Sequence, residues 1–177
     1  KNPAVNEAWA VAEEIAAHLP VQVNGKRYEV ARNLYPVDGT AQDWLRFAHG
    51  TVALLVEGPT NNPRPYAKER NGAVVGTRPT WQLLLDRVRA GPGIAGFVRD
   101  AEGKPVVAEV IVDEQRPLEG ERWATRPRDG RFARLLAVAG RYTVRVRADG
   151  YREVVRQVDV PLAGTARLEV VLPRVDP

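Results

Sequence analysis

At Gly91-Pro92-Gly93 the hydrophobic period of this chain changes, and that change limits what it can fold into. Upstream, apolar residues recur at helical intervals; downstream they alternate. The clearest alternating stretch is RYTVRVRA, Arg141 to Ala148. Tyr142, Val144, Val146 and Ala148 fall on one side of a strand, Arg141, Thr143, Arg145 and Arg147 on the other. Similar strands are predicted over 94–99, 106–112, 120–125, 131–136, 152–160 and 165–172. The turn pairs Glu102-Gly103, Asp129-Gly130, Asp149-Gly150 and Ala163-Gly164 separate them. Seven short strands within about 80 residues predict an all-β sandwich over 93–177 with its own core. Arg134, Arg145 and Arg147 are assigned to its solvated face.

Residues 1–92 read differently. NEAWAVAEEIAAHL, residues 6–19, predicts a helix with Ala8, Val11, Ala12, Ile15 and Leu19 on one stripe and Glu7, Glu13 and Glu14 facing elsewhere. Asn6 is the expected N-cap and Pro20 the stop. Tyr28 to Asn33 is extended and leads into a loop around Tyr35. Thr40 to His49 is a second helix, opened by Thr40 and closed by Gly50. Thr51 to Val56, TVALLV, is apolar on successive residues, which predicts a strand buried on both faces, as in a parallel sheet covered by helices. A loop over 58–79 and a helix over Trp81 to Ala90 complete an α/β segment. On local features Glu57, just past that strand, is either a solvated loop residue or a carboxylate at the edge of a cleft.

Several functions are excluded by composition. Of 177 residues 44% are hydrophobic and 27% charged, which is ordinary for a globular protein. No run of about 18 apolar residues exists, so no membrane span is expected. The net charge is +4, but acids lie among the arginines throughout, without the clustered basic face and stacking aromatics that nucleic acid requires. The chain has no cysteine, hence no disulfide or thiolate ligand. Its two histidines, His18 and His49, are isolated and cannot supply a three-ligand metal site with an open position. No nucleophile, base and orienting group occur together, so a complete small enzyme is not expected. A chain that contains no Met is expected to be a processed product or a piece of a longer one.

Two stretches carry a family resemblance. LYPVDGTAQDWLRFAHGTVALLVEG, Leu34 to Gly58, is similar to the closing segment of zinc carboxypeptidases: a tyrosine on a loop, a Gly-containing turn, an Asp-Trp pair, and a strand ending in glutamate. The spacing of Tyr35 and Glu57 matches the family's, and Gln42-Asp43-Trp44 has the form of its N/E (regulatory) subfamily. Trp81 to Leu172, with IAGFVRDAEGKPVVAEVIV, DGRFARLL and GRYTVRVRADGY, resembles that subfamily's final helix and its transthyretin-like, or carboxypeptidase regulatory-like, domain.

The resemblance implies the end of a catalytic domain over 1–92 and a transthyretin-like sandwich over 93–177. It implies a zinc enzyme that removes C-terminal residues from peptides or proteins. Glu57 would be the general base toward a water whose pKa zinc lowers to roughly 7. Tyr35 would close over the substrate's end, and Gln42 would border the pocket for its last side chain. Asp43 and Trp44 would be structural, with Trp44 packed under the loop. His18 and His49 match no family ligand, so zinc would be held by an upstream half of the catalytic domain, and this chain alone is expected to be inactive. A secreted or periplasmic location follows from the resemblance only. The alternative is a non-catalytic binding or structural sandwich behind a degenerate enzyme segment.

Overall fold

A computed structural model describes residues 6–21, 25–31, 39–57, 66–115, 121 and 123–175. Within them three helices precede six strands. The helices are α1 (Glu7–His18), α2 (Ala41–His49) and α3 (Tyr66–Ala90). The strands are β1 (Gly93–Asp100), β2 (Glu109–Val112), β3 (Arg131–Leu135), β4 (Gly140–Arg147), β5 (Val154–Val160) and β6 (Thr165–Leu172).

The predicted caps are in place. Asn6 accepts a hydrogen bond from the Trp9 amide at 3.0 Å, satisfying one of the free N–H groups that open α1. Thr40 opens α2, and Gly50, at φ 65°, closes it in the left-handed conformation that glycine tolerates best. Val11, Ile15 and Leu19 form a small core with Tyr28, Val52, Leu54, Leu83 and Leu84.

Two expectations for this part are corrected. Residues 51–57 form no strand. Val52 and Leu54 lean on α1, while Leu55 and Val56 are 63% and 44% exposed. A doubly buried strand needs hydrogen-bonding neighbours for its backbone, and no strand among the described residues precedes it. Helix α3 starts at Tyr66 rather than Trp81, so its first half occupies the expected loop. Gly72, Gly76 and Pro79 are poor helix formers and hide the helical signal. Pro79 donates nothing to the preceding turn, where the Thr77 hydroxyl donates to the Ala73 carbonyl (2.9 Å) and the Thr80 hydroxyl to that of Thr77 (2.6 Å).

Beyond Gly93 the strands form two three-stranded sheets, ordered β3-β1-β6 and β2-β4-β5. The β1–β6 pair is parallel over eight positions, from Gly93 opposite Thr165 to Asp100 opposite Leu172; the other pairs are antiparallel. Alternate residues from both sheets meet in one core that includes Ile94, Val98, Val110, Phe132, Val144, Val146 and Leu172. Of the seven predicted strands, the stretch at 120–125 is represented among the described residues by a single bridge, Ala124 opposite Glu109. Flanking it are the bonds from the Val110 amide to the Trp123 carbonyl (2.7 Å) and from the Thr125 amide to that of Ala108 (2.8 Å).

The turn at Asp129-Gly130 requires its glycine. Gly130 has φ 72°, and a Cβ there would lie 2.2 Å from the Val98 carbonyl oxygen. On the outer face of β2-β4-β5 each arginine meets a carboxylate. Arg141 pairs with Asp159 at 2.7 Å, Arg145 with Asp113 at 2.8 Å, and Arg147 with Glu109 at 2.6 Å. At the pole where β1 ends, Asp100 is buried and accepts from the amides of Lys104 (2.8 Å) and Glu102 (3.1 Å), with Arg174 at 3.4 Å. Burial opposes the Asp100 charge, but these donors outweigh it and hold the carboxyl below its ordinary range.

Candidate functional site

Of the three site residues read from the sequence, Tyr35 lies outside the described residues. Gln42 is half-buried in the first turn of α2, and Glu57 is exposed at the end of the 51–57 segment. The mutual geometry of the three is therefore not among the described residues. Asp43 has the expected structural role: its amide meets the Thr40 hydroxyl at 3.3 Å and its carboxylate accepts from that hydroxyl at 2.5 Å. Trp44 is 62% exposed, its ring edge-on to His49 at 4.7 Å between centroids, and the loop around Tyr35 that it is expected to underlie is outside the described residues.

A zinc ion does not fit the described residues. His18 Nδ1 lies 2.8 Å from the Glu14 carbonyl oxygen, and His49 meets the Trp44 ring edge-on. Among the described residues no group of three His, Cys, Asp or Glu side chains could hold a metal ion. A shallow groove between α1 and α3 is lined by Glu14, His18, Gln82, Asp86 and Arg87. Its best-placed cation is already committed, since Arg87 pairs with Glu14 at 2.6 Å and donates to the Leu136 carbonyl at 3.2 Å.

The densest polar chemistry lies where the helices meet one end of the sandwich. Arg46, buried on α2, donates from Nε to Glu121 at 2.7 Å and from Nη1 to Glu7 at 2.5 Å. Gln115, in the turn after β2, donates to the second oxygen of Glu7 at 3.2 Å and to the Leu135 carbonyl at 3.3 Å. The Trp123 ring underlies two guanidinium groups, Arg46 at 5.9 Å and Arg134 at 5.5 Å from its centroid. Gly50 lies against this ring, where a Cβ would stand 2.8 Å from its Cδ1.

This assembly corrects two expectations. The sequence places Glu7 off the apolar stripe of α1 and Arg134 on the solvated face of its strand; Glu7 is instead buried in line with Val11 and Ile15, and the two are 5% and 7% exposed. For Arg134 a signal existed. It shares strand parity with Phe132, which enters the core. Its Nη1 donates to the Ala133 carbonyl at 2.8 Å, whereas its Nε and Nη2, with Trp123 Nε1 and Gln115 Oε1, have no hydrogen-bond partner among the described residues. Burial lowers the Arg134 pKa to about 10; Glu7 supports its charge and Arg46 opposes it. Burial also works against the Arg46 charge, but Glu7 and Glu121 overcome it and raise the pKa.

The two packed sheets define a β-sandwich domain. Residues 93–173 match the carboxypeptidase regulatory-like domain family, so this part of the chain is a regulatory-like domain of that type. Among solved structures, the chain is similar to hydroxyquinol 1,2-dioxygenase from Pseudomonas putida DLL-E4, at 17% identity and a TM-score of 0.33. The match covers 49% of this chain and 57% of that one. A protein of unknown function from Bacteroides fragilis NCTC 9343 matches at 23% identity and a TM-score of 0.35, over 50% of this chain and 30% of its own. Likenesses at this level carry no function from those proteins to this one.

Proposed function

We propose that this chain is the C-terminal portion of a zinc-dependent carboxypeptidase of the N/E type, with residues 93–177 bracing the end of its catalytic domain. The observation that supports this reading is the attachment itself. A carboxypeptidase regulatory-like domain is joined through buried Arg46 to the helical segment that bears Gln42 and Glu57. On this reading Glu57 is the general base, Tyr35 caps the substrate, and Gln42 borders the pocket for its last side chain. The substrates are peptide or protein C-termini, outside the cytoplasm. Zinc and its ligands belong to a preceding part of the catalytic domain, which would also cover the exposed side chains of Leu55 and Val56.

A second reading, a binding or structural sandwich behind a degenerate enzyme segment, draws on the exposure of Glu57 and the self-sufficient core of the sandwich. The two separate in one experiment. A polypeptide carrying this chain behind a zinc-binding catalytic region is assayed on N-blocked peptides. Glu57→Gln is expected to lower kcat by about 10²–10⁴-fold, the usual weight of general base catalysis. Unchanged turnover in that variant, or zinc bound stoichiometrically by this chain alone, would sink the carboxypeptidase reading.

A further inference from the structure

We infer that the helix–sandwich junction is a carboxylate-binding site and that Glu7 is its in-chain occupant. Glu7 opens α1, where a carboxylate could complement the helix dipole while remaining in water. Its side chain is instead buried against the sandwich. One oxygen takes the Arg46 guanidinium and the other takes the Gln115 amide. Both donors are also held by contacts that do not involve Glu7: Arg46 by Glu121, and Gln115 by the Leu135 carbonyl. The receiving groups are thus positioned independently of the carboxylate they receive.

Arg134 is the third component. Among the described residues two of its nitrogens have no hydrogen-bond partner, and the carboxylate that supports its charge is that of Glu7. A buried guanidinium needs a nearby negative charge, and its planar donor edge suits a carboxylate. Arg46, Gln115 and Arg134 come from α2, the turn after β2, and β3. Arg46 and Gln115 hydrogen-bond one anion from two elements, and Arg134, over the same Trp123 ring as Arg46, lies near it on a third. The ligand class is therefore a carboxylate, and Glu7 competes in cis with any other. An acidic side chain and a chain terminus share this chemistry, and either could enter only when α1 withdraws.

The test deletes the occupant and offers its chemistry back. Glu7→Ala in the whole chain removes the atoms that acetate can replace. Thermal unfolding is followed with acetate or chloride at equal ionic strength. At about 100 mM, acetate is expected to raise the Tm of Glu7→Ala by about 3 °C more than chloride does, and to leave the original protein unchanged relative to chloride. N-acetylglycine and the N-acetyl, C-amide derivative of glutamate then distinguish a terminal from a side-chain carboxylate by which stabilises more. Equal response to acetate and chloride overturns the proposal. If Glu7→Ala does not fold, the pair Glu7→Ala/Arg134→Met decides: recovery of a folded protein supports Glu7 as the counter-charge, and failure to recover overturns it.

Discussion

Arg46 and Glu121 are 75 residues apart in sequence and meet at 2.7 Å, with the Glu121 side chain wholly buried. One guanidinium thereby joins α2 to the sandwich, and through its other nitrogen to α1. The helices and the sandwich share this polar centre, although their apolar cores are separate.

The first prediction concerns that centre. Arg46→Met would leave Glu7 and Glu121 buried without their shared cation, at a cost of about 3–5 kcal/mol. Urea unfolding of the variant should show it. Adding Glu7→Gln and Glu121→Gln to Arg46→Met should recover most of the loss. A loss below about 1 kcal/mol in Arg46→Met would mean the pair is a surface contact in solution.

Acid should act late on the opposite pole. The Asp100 carboxyl is held below its ordinary range, so its contribution is present above the unfolded value, roughly pH 4, and is lost as pH falls through the folded value. Asp100→Asn should be less stable than the original protein near neutrality, with the two converging in acid. Urea midpoints across a pH series check this; a gap that stays constant into acid would contradict it.

Pro79→Ala tests the length of α3. Inside a helix, proline costs roughly 3 kcal/mol relative to alanine. If Tyr66 to Ala90 is continuous, replacing Pro79 should raise stability by about 1–3 kcal/mol and increase helical circular dichroism. In a loop the same change would be close to neutral.

Most of the sandwich was legible because its information is local. Alternation placed Val144 and Val146 inward, and the expected turn glycines, Gly103, Gly130, Gly150 and Gly164, all adopt positive φ. Caps were legible for the same reason: Asn6, Thr40 and Gly50 act within four residues of themselves. The polar centre was not legible. No periodicity links Glu7, Arg46 and Glu121, and a charge on a helix stripe is assigned to water by default. Residues 51–56 misled in another way. Apolar residues in succession signal a doubly buried strand only where neighbouring strands supply hydrogen bonds.

The parallel pairing of β1 with β6 sets how the sandwich would bear a load. Strand β1 starts at Gly93 and β6 ends at Leu172, at opposite ends of one eight-residue ladder. Tension between those two points runs along the strands, so the ladder bonds must give way together rather than one after another. The domain would thus resist pulling in shear, which suits a part that anchors one segment of a protein against movement in another.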